Sequence, residues 1–234
     1  MRLTHLHLST PIPYARAALF QEALVSRLLA HKASPESLAA PNPTILTWTS
    51  LPAYTCGRRE INKISEAQRA HLEADGRATF HEALRGGQTT FHGPGQVIAY
   101  PVIDLKRHQT SPRCYVRLLE DGTIATCKKY GIATQTTKNP GVWVGDDRKI
   151  AALGVHLRRN VTSHGLALNV NTDLWWFDRI VTCGLEGKKT TSFANEGVTG
   201  ADEGQVATAL VKELAERIKG VDDVFEVKEK LVLE

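Results

Sequence analysis

The stretch Arg85-Gly86-Gly87-Gln88-Thr89-Thr90-Phe91-His92-Gly93-Pro94-Gly95-Gln96 constrains this chain more than any other. Four glycines and a proline surround an arginine and two polar anchors, Gln88 and His92. Glycine admits positive φ and lets a ligand or a second backbone come close, at an entropic cost to folding, so clustered glycines mark a turn or a site. Strand-like segments flank the run at 77–84 and 95–103. A hairpin connection with polar decoration is one reading. Polar residues held between two glycine clusters favour the other, a ligand cradle. A dinucleotide fingerprint is excluded, because the spacing differs and no helix follows.

Around this run the chain has the makings of a globular domain. Its 234 residues, 42% hydrophobic, suffice to bury a proper core, and one catalytic-size domain spanning 1–234 is expected. A net charge of +4 permits an acidic partner without demanding one, and no basic run points to nucleic acid. No apolar stretch approaches the roughly 18 residues of a membrane span. The four cysteines, Cys56, Cys114, Cys127 and Cys183, form no CxxC pair. Neither a metal knuckle nor a disulfide framework is therefore expected, and a reducing compartment is the simpler assumption. Arg2, Arg16 and Arg27 give the N-terminus a faintly transit-like character, but the alternation of His5 and His7 with Leu6 and Leu8 reads as a strand. No cleavable presequence is expected within the chain.

Taken in order, residues 14–30 read as a helix with Ala17, Phe20, Leu24 and Leu28 on one face. A Pro-rich loop leads to a β-branched strand at 44–50. Residues 54–59 read as a turn carrying Arg58 and Arg59. Ser65 caps a helix running to Asp75, stopped by Gly76. After the glycine run, Tyr100-Pro101 suggests an edge strand or a strand end. A helix at 114–130 carries Cys114 and Cys127 as small packing groups. Strands at 142–144, 149–157 and 162–170 are joined by turns at 145–148 and 159–160. Trp175-Trp176-Phe177 reads mainly as core. A closing helix at 205–219 and a last strand at 224–227 complete an α+β pattern with a mixed, largely antiparallel sheet flanked by helices.

Three places carry possible chemistry. Cys183, followed by Gly184, is either a packed apolar residue or an exposed thiol. Lys149 opens a strand whose next residues are apolar, so it either snorkels or is desolvated. A desolvated lysine serves as a base, or as a cation favouring a nearby thiolate. His92 and His164 each precede a glycine, and either is a candidate base or a hydrogen-bonded structural histidine. Together these parts suit acyl transfer, in which a thiolate attacks a thioester and backbone N–H groups hold the oxyanion. No nucleotide cofactor is needed, because thioester exchange is close to thermoneutral. Gly187-Lys188-Lys189-Thr190 is not a phosphate loop, since its leading glycine position is Thr182 and Lys189 follows Lys188.

The run 85–96 followed by Tyr100-Pro101 resembles the signature of lipoyl(octanoyl) transferases. Pro140-Gly141-Val142-Trp143-Val144, Lys149-Ile150-Ala151-Ala152-Leu153-Gly154, His164-Gly165-Leu166-Ala167-Leu168-Asn169-Val170 and Cys183-Gly184-Leu185 follow in the family's order. The resemblance covers nearly the whole chain and implies the fold of the biotin/lipoate protein ligase catalytic domain. It implies that Cys183 takes octanoate from octanoyl-acyl carrier protein as a thioester. The acyl group then passes to a lysine ε-amine on lipoyl domains, such as glycine cleavage H protein and 2-oxoacid dehydrogenase E2. Lys149 would depress the Cys183 pKa and shuttle protons. Arg85, Gly86, Gly87, Gln88, Thr89, Thr90, Phe91 and His92, with Ala152, Leu153, Gly154, Gly165, Leu166 and Ala167, would line the acyl pocket. No cofactor, metal, nucleic acid or membrane is implied. The family's cysteine commonly follows a proline, whereas here it follows Thr182, so the local turn is expected to differ. The tract 30–59 resembles mitochondrial, fungal-type members and implies the mitochondrial matrix, or the cytoplasm for a bacterial source. Within the same fold, an ATP-dependent lipoate–protein ligase is the nearest alternative, and it needs no nucleophilic cysteine. A non-catalytic acyl-binding protein is the alternative from another class.

Overall fold

Ser65 shows how closely local chemistry sets the elements. Its hydroxyl accepts from the Gln68 N–H while the Gln68 side chain accepts from the Ser65 N–H, a capping box that fixes the start of a short helix. The computed structural model describes residues 1–180 and 187–227. In order, these form β1 (Arg2–Ile12), α1 (Tyr14–Ala33), β2 (Thr44–Ser50), β3 (Ala53–Cys56), α2 (Glu66–Glu73), β4 (Thr79–Glu82), β5 (Thr90–His92) and β6 (Gln96–Val102). There follow α3 (Pro112–Lys129), β7 (Val142–Val144), β8 (Arg148–Arg158), β9 (Val161–Asn169), a 3₁₀ turn at Leu174–Arg179, β10 (Lys189–Thr190), α4 (Glu203–Arg217) and β11 (Asp223–Val227).

Eight strands form a mixed sheet in the order β10-β8-β9-β6-β2-β1-β11, with β7 paired to β8. The pairs β8–β9, β9–β6 and β6–β2 are antiparallel, whereas β2–β1, β1–β11 and β10–β8 are parallel. A second sheet, β4-β3-β5, stands apart from it.

Alternate residues of the central strands feed two different cores. Val97, Ala99, Leu166 and Leu168 pack with Leu119 of α3 and Leu210 and Leu214 of α4. Ile98, Tyr100 and Ala167 turn the other way, towards Phe20, Leu24 and Leu28 of α1. Both faces are therefore covered, and all seven residues of β6 are buried.

Two expectations change and a third is narrowed. Residues 53–56 form β3 rather than a turn, with Gly57 leaving the strand; β3 pairs in parallel with β4 and antiparallel with β5. β6 is an interior strand, so of the two readings of Tyr100-Pro101 the strand end holds: Pro101 is its penultimate residue. Its ladder to β9 runs as far as Ala99–Leu166 and resumes at Ile103, whose carbonyl accepts from the Thr162 N–H at 2.9 Å. In the gap, His164 has φ +56°, and its N–H donates to Gln21 Oε1 of α1 at 2.6 Å. A side chain at Gly165 would put its Cβ 2.3 Å from the Ala99 carbonyl oxygen, so glycine is required for this close approach. Cys114 is exposed rather than packed, while Cys127 and Cys56 are buried.

Candidate active site

The glycine run bridges the two sheets instead of closing a hairpin. It enters from β4, contributes β5 to the small sheet and then starts β6 in the large one. Arg85 holds the bend. Its buried guanidinium donates to the Thr55 carbonyl at 2.6 Å, to Thr55 Oγ1 at 2.7 Å, and to the carbonyls of Gly86 and Gln88 at 3.0 and 2.9 Å. The Gly86 N–H donates to the Val155 carbonyl of β8 at 3.0 Å, which docks the loop on the large sheet.

Between the loop and the sheet lies a cleft of about 720 Å³, counting the part open to solvent. Of the residues singled out in the sequence, Arg85, Gly87, Gln88, Thr89, Thr90 and His92 form one wall. Ala152, Leu153, Gly154, Gly165, Leu166 and Ala167 form the floor, with Lys149 at its edge. Gly86 instead spends its backbone on docking the loop. Phe91 points away from the cleft, stacked on Trp176 with ring centroids 4.9 Å apart, as strand alternation requires of the residue between Thr90 and His92. Cys183 lies outside the described residues.

Lys149 is buried at 4% exposure. Its Nζ stands 4.5 Å from the centroid of the Trp143 ring, a cation–π contact across the β7–β8 pair. Its carbonyl accepts from the Thr191 N–H at 2.9 Å, joining β8 to the strand just after the segment that contains Cys183. Ile180 and Thr190, described residues on either side of that segment, both line the cleft.

His92 is fixed by a chain of hydrogen bonds that can be read from its far end. Asn169 Nδ2 donates to the Thr191 carbonyl, so Asn169 Oδ1 faces Gln96. Gln96 Nε2 then donates to Asn169 Oδ1 at 2.9 Å and to the Phe91 carbonyl at 3.2 Å. That leaves Gln96 Oε1 as acceptor for His92 Nδ1 at 2.9 Å, so the proton of the neutral ring sits on Nδ1. Burial and the Arg85 charge push the His92 pKa down to about 3, and the ring is neutral near pH 7. His164 is pushed to about 3 by burial and Arg85 as well. It sits mid-strand, not in a turn. Near-neutral pH leaves neither histidine as a cation.

Gln96, Tyr100, Asn169, Phe177, Ile180 and Thr190 also line the cleft and were not among the expected site residues. The period-2 pattern places Gln96 and Tyr100 on one face of β6 and was the available signal. Nothing local marks Phe177, Ile180 or Thr190. Among the described residues, no three His, Cys, Asp or Glu groups come together as metal ligands. No helix among them is long and apolar enough to cross a membrane.

Comparison with known proteins places this geometry. Residues 13–215 match the family described as "Lipoyl protein ligase A/B catalytic domain". A Schizosaccharomyces pombe protein named probable octanoyltransferase is 53% identical over 190 residues, covering 80% of this chain and 83% of that one. The mitochondrial octanoyl-[acyl-carrier-protein]:protein N-octanoyltransferase LIPT2 of Danio rerio is 48% identical over 156 residues, covering 67% and 68% of the two chains. Among solved structures, lipoate-protein ligase A bound with ATP superposes with a TM-score of 0.71 at 14% identity, over 98% of this chain and 91% of that one. At that identity the likeness shows the α+β fold alone. The family match over most of the chain and the identity to the fission-yeast protein establish that the chain belongs to the octanoyltransferase family of lipoyl protein ligase A/B catalytic domains.

Proposed function

We propose that the enzyme takes octanoyl from octanoyl-acyl carrier protein onto Cys183 as a thioester and then delivers it to a lysine ε-amine on a lipoyl domain. In the first step the Cys183 thiolate attacks the donor thioester, and the carrier thiol leaves. In the second, the acceptor amine attacks the enzyme thioester, a C–N bond replaces the C–S bond, and the amine's proton is released as Cys183 is regenerated. Lys149 is the cation beside the thiolate and the group that relays protons.

The observation that carries this reading is the buried Lys149 at the edge of a largely apolar cleft, with Ile180 and Thr190 lining the same cleft on either side of the segment holding Cys183. The cleft's length supports an eight-carbon chain. From Asn169 to Gly165 the floor runs four residues, about 13 Å at the strand rise. An extended octanoyl group has seven C–C bonds and advances about 1.25 Å per bond at tetrahedral geometry, roughly 9 Å in all. The remainder accommodates the thioester. Its apolar lining includes Ala152, Leu153, Leu166, Ala167 and Phe177. Acceptors of the glycine cleavage H protein and 2-oxoacid dehydrogenase E2 type, and a mitochondrial matrix location, complete the proposal; the Danio rerio relative is itself named mitochondrial.

Intact mass after mixing the protein with octanoyl-acyl carrier protein tests it. A hydroxylamine-labile octanoyl adduct on the wild type, lost in Cys183→Ser, is expected. No adduct from the carrier, but acyl transfer from free acid and ATP, would replace this mechanism with that of a ligase.

A further inference from the structure

Lys149 reaches the cleft through an irregularity in its own strand. Val142 pairs with Ala151 and Trp143 with Lys149, so one step along β7 answers two along β8, and Ile150 is the extra residue of a bulge. Ile150 and its neighbour Ala151 both bury in the core shared with α3 and α4, so the usual alternation slips by one there. Lys149 therefore lines the cleft together with Ala152, three positions on, which a regular strand would turn to the opposite face.

The bulge aims the side chain, and β7 with its lead-in holds it. A Cβ on Gly141 would lie 3.1 Å from Lys149 Cε and 3.5 Å from Cδ, so the end of the stem passes over the bare Cα of this glycine. Beyond it, Nζ stands 4.5 Å from the centroid of the Trp143 ring. Trp143 is fully buried and anchored in its turn. Its backbone N–H donates to the Gln135 carbonyl at 2.9 Å, its carbonyl accepts from the Gln135 N–H at 2.8 Å, and its indole N–H donates to the Asn139 carbonyl at 3.2 Å. Trp143 is not among the described residues that line the cleft, so it acts on the substrate through Lys149.

A lysine stem has four rotatable bonds, and an amine left to sample them would spend little time in a reactive geometry. A ring face fixed beside a desolvated ammonium attracts it more strongly than at an exposed site. We propose that Trp143 is a positioning residue for octanoyl transfer: its ring face, with the groove over Gly141, holds the Lys149 amine at the edge of the acyl cleft. This inference rests on the reading of Lys149 as the group that stands by the thiolate and relays protons.

The test compares octanoyl transfer by the wild type, Trp143→Phe and Trp143→Leu, each also in a Lys149→Met background. Both substitutions at Trp143 delete the indole N–H, but only Trp143→Phe keeps a π face. Trp143→Leu is expected to lower kcat about 10–30-fold, the range for a cation–π contact with a desolvated amine, with KM for octanoyl-acyl carrier protein within about twofold. Trp143→Phe is expected to lose only about threefold, and in the Lys149→Met background the two substitutions should have the same effect. Equal losses from both in the presence of Lys149, or a loss that appears in KM instead of kcat, overturn the proposal. Should Trp143→Leu fail to fold, site-specific fluorination of the Trp143 indole decides, because it keeps the ring's shape while draining its negative face. kcat is then expected to fall with each added fluorine, and a constant kcat overturns the inference. Lys149→Met alone separates this inference from the reading beneath it. Wild-type transfer by Lys149→Met refutes the role of Lys149 and this inference with it, whereas a slowed Lys149→Met beside equally active Trp143→Phe and Trp143→Leu refutes this inference only.

Discussion

Replacing Gly57 with alanine tests how the cleft wall is held. Gly57 follows β3, and a Cβ there would lie 2.0 Å from the Gly87 carbonyl oxygen and 2.8 Å from its carbon. Cβ atoms essentially never come within 3.0 Å of such neighbours, so the Gly87 carbonyl must retreat by at least 3.0 − 2.0 = 1.0 Å. The obstacle is backbone, so no rotamer relieves it, and overpacking of this kind costs about 1–3 kcal/mol. In a chain of this size each kcal/mol lowers Tm by about 2–4 °C. The displacement also falls on the wall formed by Gly87 to Thr90, where a 1 Å misplacement can cost about 100-fold in rate. Gly86→Ala is the control in the same loop, because its Cβ meets nothing nearer than the Val155 oxygen at 3.7 Å. Thermal unfolding and octanoyl-transfer kinetics read both effects. Gly57→Ala is expected to lose both stability and turnover while Gly86→Ala stays near wild type. Indistinguishable behaviour of the two variants would refute the claim that close backbone approach positions the wall.

Other expectations follow from the same structure. Lys149→Met should keep the fold while lowering octanoyl transfer by about 10²–10⁴-fold, the range for a lost proton-transfer group, and undiminished turnover would remove Lys149 from the chemistry. His5, His92 and His164 are lowered to about 4, 3 and 3, mainly by burial, so the unfolded chain binds their protons first as pH falls below about 6.5. Their contribution to stability is complete above that pH and declines towards the folded values, by up to about 1.4 kcal/mol per pH unit for each group. Urea titrations between pH 7 and 4 should show this slope, and His164→Gln should flatten it; an unchanged slope counts against a buried neutral ring. Glu213 is lowered chiefly by its hydrogen bond with Lys129, and Arg217 adds to the effect. Its contribution is present above about pH 4.5 and disappears as pH falls further, so Glu213→Gln should cost about 0.5–1 kcal/mol at pH 7 and nothing in strong acid.

The sequence made the bridging loop legible because its glycines and polar anchors have few other uses. It also showed α2 through Ser65 and α4 through its apolar spacing. β3 escaped it. Four residues are too few for a periodic signal, and its partners in β4 and β5 lie some 26 to 39 positions away along the chain, as in the pairs Ala53–Thr79 and Ala53–His92. Pro101 argued for an edge or a strand end because proline lacks an N–H; the fold takes the second, with Pro101 next to the last residue of an interior strand whose facing ladder breaks at His164 and Gly165. The alternation that separates Phe91 from His92 was present but needed the strand assignment before it could be applied. Phe177 reaches the cleft by packing with Phe91 of the small sheet and Thr190 by pairing with β8, tertiary placements that no local pattern encodes.

Arg85 carries one more consequence. Its guanidinium joins β3 to the carbonyls of the loop, and Gly86 joins that loop to β8, so the small sheet cannot detach piecemeal without stranding a buried cation. The small sheet and the loop should therefore open as one cooperative unit, separately from the eight-stranded sheet beneath them. Amide protons of β3, β4 and β5 would then share a single opening free energy. A ligand filling the cleft would raise that value for the whole unit while leaving the slowest-exchanging core amides under global control.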